Sequence, residues 1–90
     1  MSRKRAKRVI RRGTTRSTGP IDKYFGDRIR ARRVMLKMSQ VELGEKLGVS
    51  FQQIQKYEKG VNRVSAARLF AICKALNVSL SSMFERDPQA

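Results

Sequence analysis

Between residues 40 and 59, QVELGEKLGVSFQQIQKYEK, apolar positions recur at helical steps in two short runs rather than one long one. Val41, Leu43 and Leu47 serve the first run, and Ile54 and Tyr57 serve the second. Ser39 precedes the first with Glu42 three residues on, and Ser50 precedes the second with Gln53 three residues on. Each start therefore reads as a capping box. Gly48 stands where the first helix must end, as a residue that accepts the left-handed conformation. Gly44 falls on the inside of the bend, where a side chain would hold the helices apart. Two helices, Gln40–Leu47 and Phe51–Lys59, meeting at so tight a turn have the layout of a helix-turn-helix.

Upstream, Gly19-Pro20 punctuates the chain, and the pattern predicts a helix over 21–36 with Phe25, Ile29 and Leu36 as its apolar stripe. Arg33 falls on that stripe. Glu58 falls on the inward side of the second motif helix, with Ser50, Ile54 and Tyr57. A buried unpaired charge is very costly, so the two misplaced opposite charges are expected to pair. The alternative is that Arg33 reaches solvent along its aliphatic stem. Lys37 stands at the helix exit where glycine would suit a left-handed turn better, so it is expected to carry some strain.

Downstream, Ser65 caps a helix over 66–76 whose buried side is Leu69, Phe70, Ile72, Cys73 and Leu76, and Asn77 suits a left-handed cap. Cys73 reads as a small core residue. Ser79 then caps a fifth short helix, Leu80–Phe84. Its apolar residues are more than a chain ending needs, and Leu80, Met83 and Phe84 are expected to be divided between the core and a dimer interface. The expected fold is all-α, a compact five-helix bundle over 20–85 containing the helix-turn-helix. A disordered basic arm, 1–19, precedes it, and a frayed tail, 86–90, follows.

Charge narrows the partners. The 90 residues carry 21 Lys+Arg against 7 Asp+Glu, a net charge of +14. Such a chain seeks a polyanion, nucleic acid first and an anionic membrane surface second. Eight of the cations lie in residues 1–19, with no acid among them. That segment reads as a solvated tail, as an arm lying along DNA, or as a membrane-surface helix with a weak stripe from Ala6, Val9 and Ile10. No apolar run approaches the ~18 residues of a membrane span, and the start lacks a signal peptide's apolar core. One cysteine fits a reducing compartment, and the expected location is the cytoplasm, on the nucleoid through DNA.

Catalysis is not expected. Histidine is absent, a single Cys makes no zinc site, and the acids are scattered. No Gly-rich phosphate loop appears either. No metal or cofactor is expected. On the second motif helix, Gln52, Lys56 and Lys59 point away from Ile54, with Gln53 and Gln55 on the flanks. Long amides and cations suit base edges and phosphates, although an ordinary solvated face has the same look. Asn62 and Arg63, in the loop after that helix, are expected on phosphates.

From about 28 to 84 the chain resembles the Cro/CI-type, or XRE-like, helix-turn-helix domains. RIRARR at 28–33, MSQVELGEKLGVS at 38–50, IQKYEKG ending at Gly60 and LFAICKALNVSLSSMF at 69–84 carry the resemblance. It implies a five-helix domain acting as a dimer on a two-fold operator. It puts base reading on Phe51, Gln52 and Lys56, with Gln55 beside them, and a phosphate contact on Gln40. It also puts a buried Arg–Glu pair on Arg33 and Glu58. Lys37 departs from a frequent glycine. Phe51 departs from a frequent polar residue and would meet thymine methyl groups or pack locally. The expected function is a sequence-specific, double-stranded DNA-binding transcriptional regulator. An antitoxin-type autorepressor with a protein partner, a protein-bridging coactivator and a binder of structured RNA are the alternatives. No ligand-sensing domain is expected, which leaves regulation to dimer concentration, a partner protein or proteolysis.

Overall fold

The computed structural model describes residues 19–85. Among them run α1 (Pro20–Met35), α2 (Gln40–Leu47), α3 (Phe51–Lys59), α4 (Ala66–Ala75) and a 3₁₀ turn, Leu80–Phe84. The architecture is all-helical, but the α-helices number four, not five: the last helical stretch is 3₁₀. Five residues allow few i→i+4 bonds, and α1 takes the Ser82 carbonyl and the Glu85 carbonyl just beyond the turn. Arg28 Nη2 donates to the Ser82 carbonyl at 3.0 Å, and the Tyr24 hydroxyl donates to the Glu85 carbonyl. Ser79 makes no side-chain cap here; its hydroxyl lies 3.1 Å from that of Ser81. The expected disorder of the arm and fraying of 86–90 lie outside the described residues. Gly19 is described and belongs to the start of α1, where its N–H donates to Asp22 Oδ2 at 3.0 Å.

The buried line of α1 is Asp22, Gly26, Ile29 and Arg33, only one of them aliphatic. Phe25 packs half-buried against the core. Leu36 is 38% exposed, against expectation, because the helix has ended and Leu36 is only its cap. At Gly26 a Cβ would lie 2.6 Å from the Glu58 carbonyl oxygen, so glycine lets α1 and α3 touch backbone to backbone. Lys37 takes φ 58°, and its N–H and that of Met38 close the helix on the carbonyls of Val34 and Arg33.

Leu69, Ile72, Cys73 and Leu76 form the inner face in and just beyond α4, and burial pushes the Cys73 thiol pKa up, which keeps it neutral. Phe70 is not on that face. It is 55% exposed, one position off the buried 69–72–73–76 series, with the Lys74 ammonium 5.6 Å from its ring centroid. The residue after the Leu76 cap, Asn77, is left-handed, φ 58°. Arg32 reaches over from α1 to satisfy the last carbonyls, donating to Leu76 and Asn77 at 3.1 Å each. With Ile29, Leu43, Ile54, Tyr57 and Leu69, this face closes a single core, and Met83 from the 3₁₀ turn seals it at 3% exposure. Met83 is therefore a core residue and not part of a dimer surface.

Within this core sits an ion pair. Arg33 and Glu58 are 9% and 4% exposed. The guanidinium donates from Nε to Glu58 Oε2 at 2.6 Å and from Nη2 to Oε1 at 3.0 Å, and its Nη1 donates to the Met38 carbonyl at 2.8 Å. The hydrogen bond to Glu58 holds the Arg33 pKa above its ordinary value. Removing one member strands the other in the interior. Glu58→Ala is expected to lower stability by about 3–5 kcal/mol in urea unfolding. Replacing both residues by apolar ones should recover most of that loss; a wild-type midpoint for the single variant would contradict the pairing as a stabilising element.

Candidate nucleic-acid interface

The helix-turn-helix is set by backbone contact. A Cβ at Gly44 would lie 2.5 Å from the Val49 carbonyl oxygen, and the Val49 N–H donates to the Gly44 carbonyl at 2.9 Å. Gly48 ends α2 with φ 74°. At the start of α2 the capping box is complete: Ser39 Oγ accepts the Glu42 N–H at 2.9 Å, and Glu42 Oε1 accepts the Ser39 N–H at 2.7 Å. The Ser39 N–H, with the Ser39 hydroxyl second, holds the Glu42 carboxyl below its ordinary pKa. At α3 only half of the expected box forms. Ser50 Oγ accepts the Gln53 N–H at 3.2 Å, but the Gln53 side chain does not return to Ser50. Arg68 of α4 donates to the Leu47 carbonyl at 3.2 Å and so ties the end of α2 to the core.

Ile54, Tyr57 and Glu58 are the buried residues of α3. Gln52, Lys56 and Lys59 are exposed, Gln53 and Gln55 are half-buried, and Phe51 is 42% exposed at the first turn. The one acidic side chain of α3, Glu58, is thus turned inward, and the outward side carries only amides, ammonium groups and one aromatic ring. Past the helix, the Lys56 carbonyl accepts the N–H groups of Val61 and Asn62 at 3.1 and 3.3 Å. That fold-back leaves Asn62 half-buried. Arg63 is exposed, and its Nε lies 3.4 Å from Asp22 Oδ2, linking the loop to the start of α1.

Gln40 opens α2 but is not simply outward. Its Nε2 donates to Glu58 Oε1 at 3.1 Å, which joins it to the buried pair. Leu80 and Phe84 are 40% and 59% exposed, with Phe84 edge-on to Phe25 of α1 at 5.4 Å between centroids. Periodicity missed the α1 side chains Tyr24, Arg28 and Arg32, which clasp the C-terminal carbonyls. The only trace of the two arginines in the sequence is the density of arginine in RIRARR. Among the described residues no cluster of three or more His, Cys, Asp or Glu could hold a metal, and no helix is long and apolar enough to cross a membrane.

A helix-turn-helix family profile matches residues 29–83. The chain belongs to the Cro/CI-type, XRE-like helix-turn-helix family. An uncharacterized HTH-type transcriptional regulator of Sinorhizobium medicae is 62% identical over 69 residues, 77% of this chain and 50% of the relative. The chain thus spans about half the length of the curated relatives it matches first. The P22 c2 repressor, solved in complex with synthetic operator 9T, aligns with TM-score 0.63 and 38% identity over 70% of this chain and 96% of that one. The restriction-modification controller protein C.AhdI of Aeromonas hydrophila aligns with TM-score 0.67 and 25% identity, again over 70% and 96%.

Proposed function

We infer that the chain regulates transcription by binding a specific double-stranded DNA operator, with α3 in the major groove. The carrying observation is the face of α3: Gln52, Lys56 and Lys59 exposed, Gln53 and Gln55 half-buried on the flanks, its one acid inside, on a helix fixed by backbone contact at Gly26 and Gly44. Gln52, Gln55 and Lys56 supply donors and acceptors for base edges, and Phe51 offers an apolar edge for thymine methyl groups. Gln40, Gln53, Lys59, Asn62 and Arg63 surround that face and serve phosphates. The P22 c2 repressor, a structural relative solved on an operator, supports double-stranded DNA as the partner. The chain acts as a homodimer on a two-fold site, with Leu80 and Phe84 at the contact. The basic N-terminal residues add sequence-independent attraction.

Three measurements test this reading. Gln52→Ala and Lys56→Ala should each weaken binding to the best duplex selected from random sequence by about 1–3 kcal/mol. Both should weaken binding to an unrelated duplex far less; equal losses on the two duplexes would remove these residues from base reading.

Deleting residues 2–18 should flatten the slope of log K against log salt by roughly three to four units if half of its cations meet phosphates. The order of preference among sites should survive. An unchanged slope would detach those residues from the DNA.

Phe84→Asp should leave a folded monomer in sedimentation that binds a palindromic site without cooperativity. An unfolded variant would assign Phe84 to the core instead.

A further inference from the structure

Glu58 has more acceptor capacity than its ion pair needs. Oε2 takes the Arg33 Nε, while Oε1 takes both Arg33 Nη2 and the side-chain nitrogen of Gln40. A primary amide usually has two nearly equivalent orientations, because its oxygen and nitrogen have the same shape. An ionised carboxylate only accepts, so Glu58 admits one of them: nitrogen toward Oε1, oxygen away. The nitrogen carries two hydrogens in a fixed plane. Once one is committed to Glu58, the direction of the second is set by the position of a residue that is itself 4% exposed. Charge does not oppose an anion arriving there, since Arg33 neutralises the carboxylate through two parallel hydrogen bonds.

We propose that Glu58 is a positioning residue for DNA: through Oε1 it fixes the amide of Gln40 so that its second N–H is presented to one backbone phosphate oxygen. This rests on the operator-binding reading above. The buried pair then has two duties, holding α1 to α3 and setting the aim of the first side chain of α2. A phosphate bound by Gln40 is thereby registered against the same rigid body that carries Gln52 and Lys56.

The test is a scan of the selected operator in which single phosphates are replaced by neutral methylphosphonates, using the full chain. At one position in each half-site the substitution should weaken wild-type binding about tenfold. Gln40→Met, which leaves the Arg33–Glu58 pair intact, should lose that sensitivity and keep its sequence preference. Glu58→Gln, whose own amide can present either atom to Gln40, should lose the same sensitivity at the same position. In the free wild-type protein, one of the two Gln40 side-chain amide protons should exchange more slowly with water than the other.

Undiminished sensitivity in Gln40→Met would overturn the phosphate contact. A folded Glu58→Gln that retains it would overturn the positioning role. If Glu58→Gln does not fold, the amide protons decide, and two equally fast-exchanging protons in the wild type refute the proposal. Failure of wild-type protein to prefer any duplex would instead refute operator binding itself.

Discussion

The Arg33–Glu58 pair is the constraint on which the arrangement of the first three helices depends. Coulomb attraction alone does not make such a pair favourable, because both ions lose their water. Hydrogen bonds limit the penalty. The guanidinium donates from Nε, Nη1 and Nη2 to both carboxylate oxygens and the Met38 carbonyl, and the carboxylate accepts a further bond from Gln40. Every one of those partners comes from a different part of the chain: α1, its exit turn, the start of α2 and the end of α3. A shift in any of these would leave a buried charge partly unsatisfied, so the pair specifies one packing out of those an apolar contact would tolerate.

The same economy governs the C-terminal third. A domain this small has little apolar area to spare for its last segment. Met83 is the one side chain of the 3₁₀ turn that is buried, and much of the remaining attachment is polar. Tyr24, Arg28 and Arg32 reach from one side of α1 to backbone carbonyls of Leu76, Asn77, Ser82 and Glu85. The arginines do two jobs at once: they cap the end of α4 and hold the turn against the helix that carries Arg33.

Legibility in the sequence followed the physics of each feature. Ser39 with Glu42, and Gly44 and Gly48, are local rules, and spacing alone found the helix-turn-helix. Arg33 and Glu58 were visible because each broke a pattern. The packing line of α1 was not visible: of Asp22, Gly26, Ile29 and Arg33, hydrophobic periodicity can see only Ile29. Phe70, expected inside, and Met83, left between core and interface, show a related limit. An apolar residue name does not say which way a side chain points, and at 55% and 3% exposure the two lie on opposite sides of the boundary. The residues proposed to face DNA were legible only as a polar side. Which of them are tied inward, as Gln40 is to Glu58, depends on contacts between helices that no local pattern records.

The backbone contacts at Gly26 and Gly44 have a mechanical consequence. Where a helix backbone touches the backbone of a neighbouring helix, as at Gly26, or of the turn, as at Gly44, with no side chain between them to change rotamer, the joint has little compliance. In an operator complex of the kind inferred here, the protein would then behave as a stiff die. Any mismatch between its curvature and that of the duplex would be taken up by bending or twisting the DNA. The energy of that deformation varies with base step, so the preferred site would carry sequence requirements at base pairs that no side chain reaches.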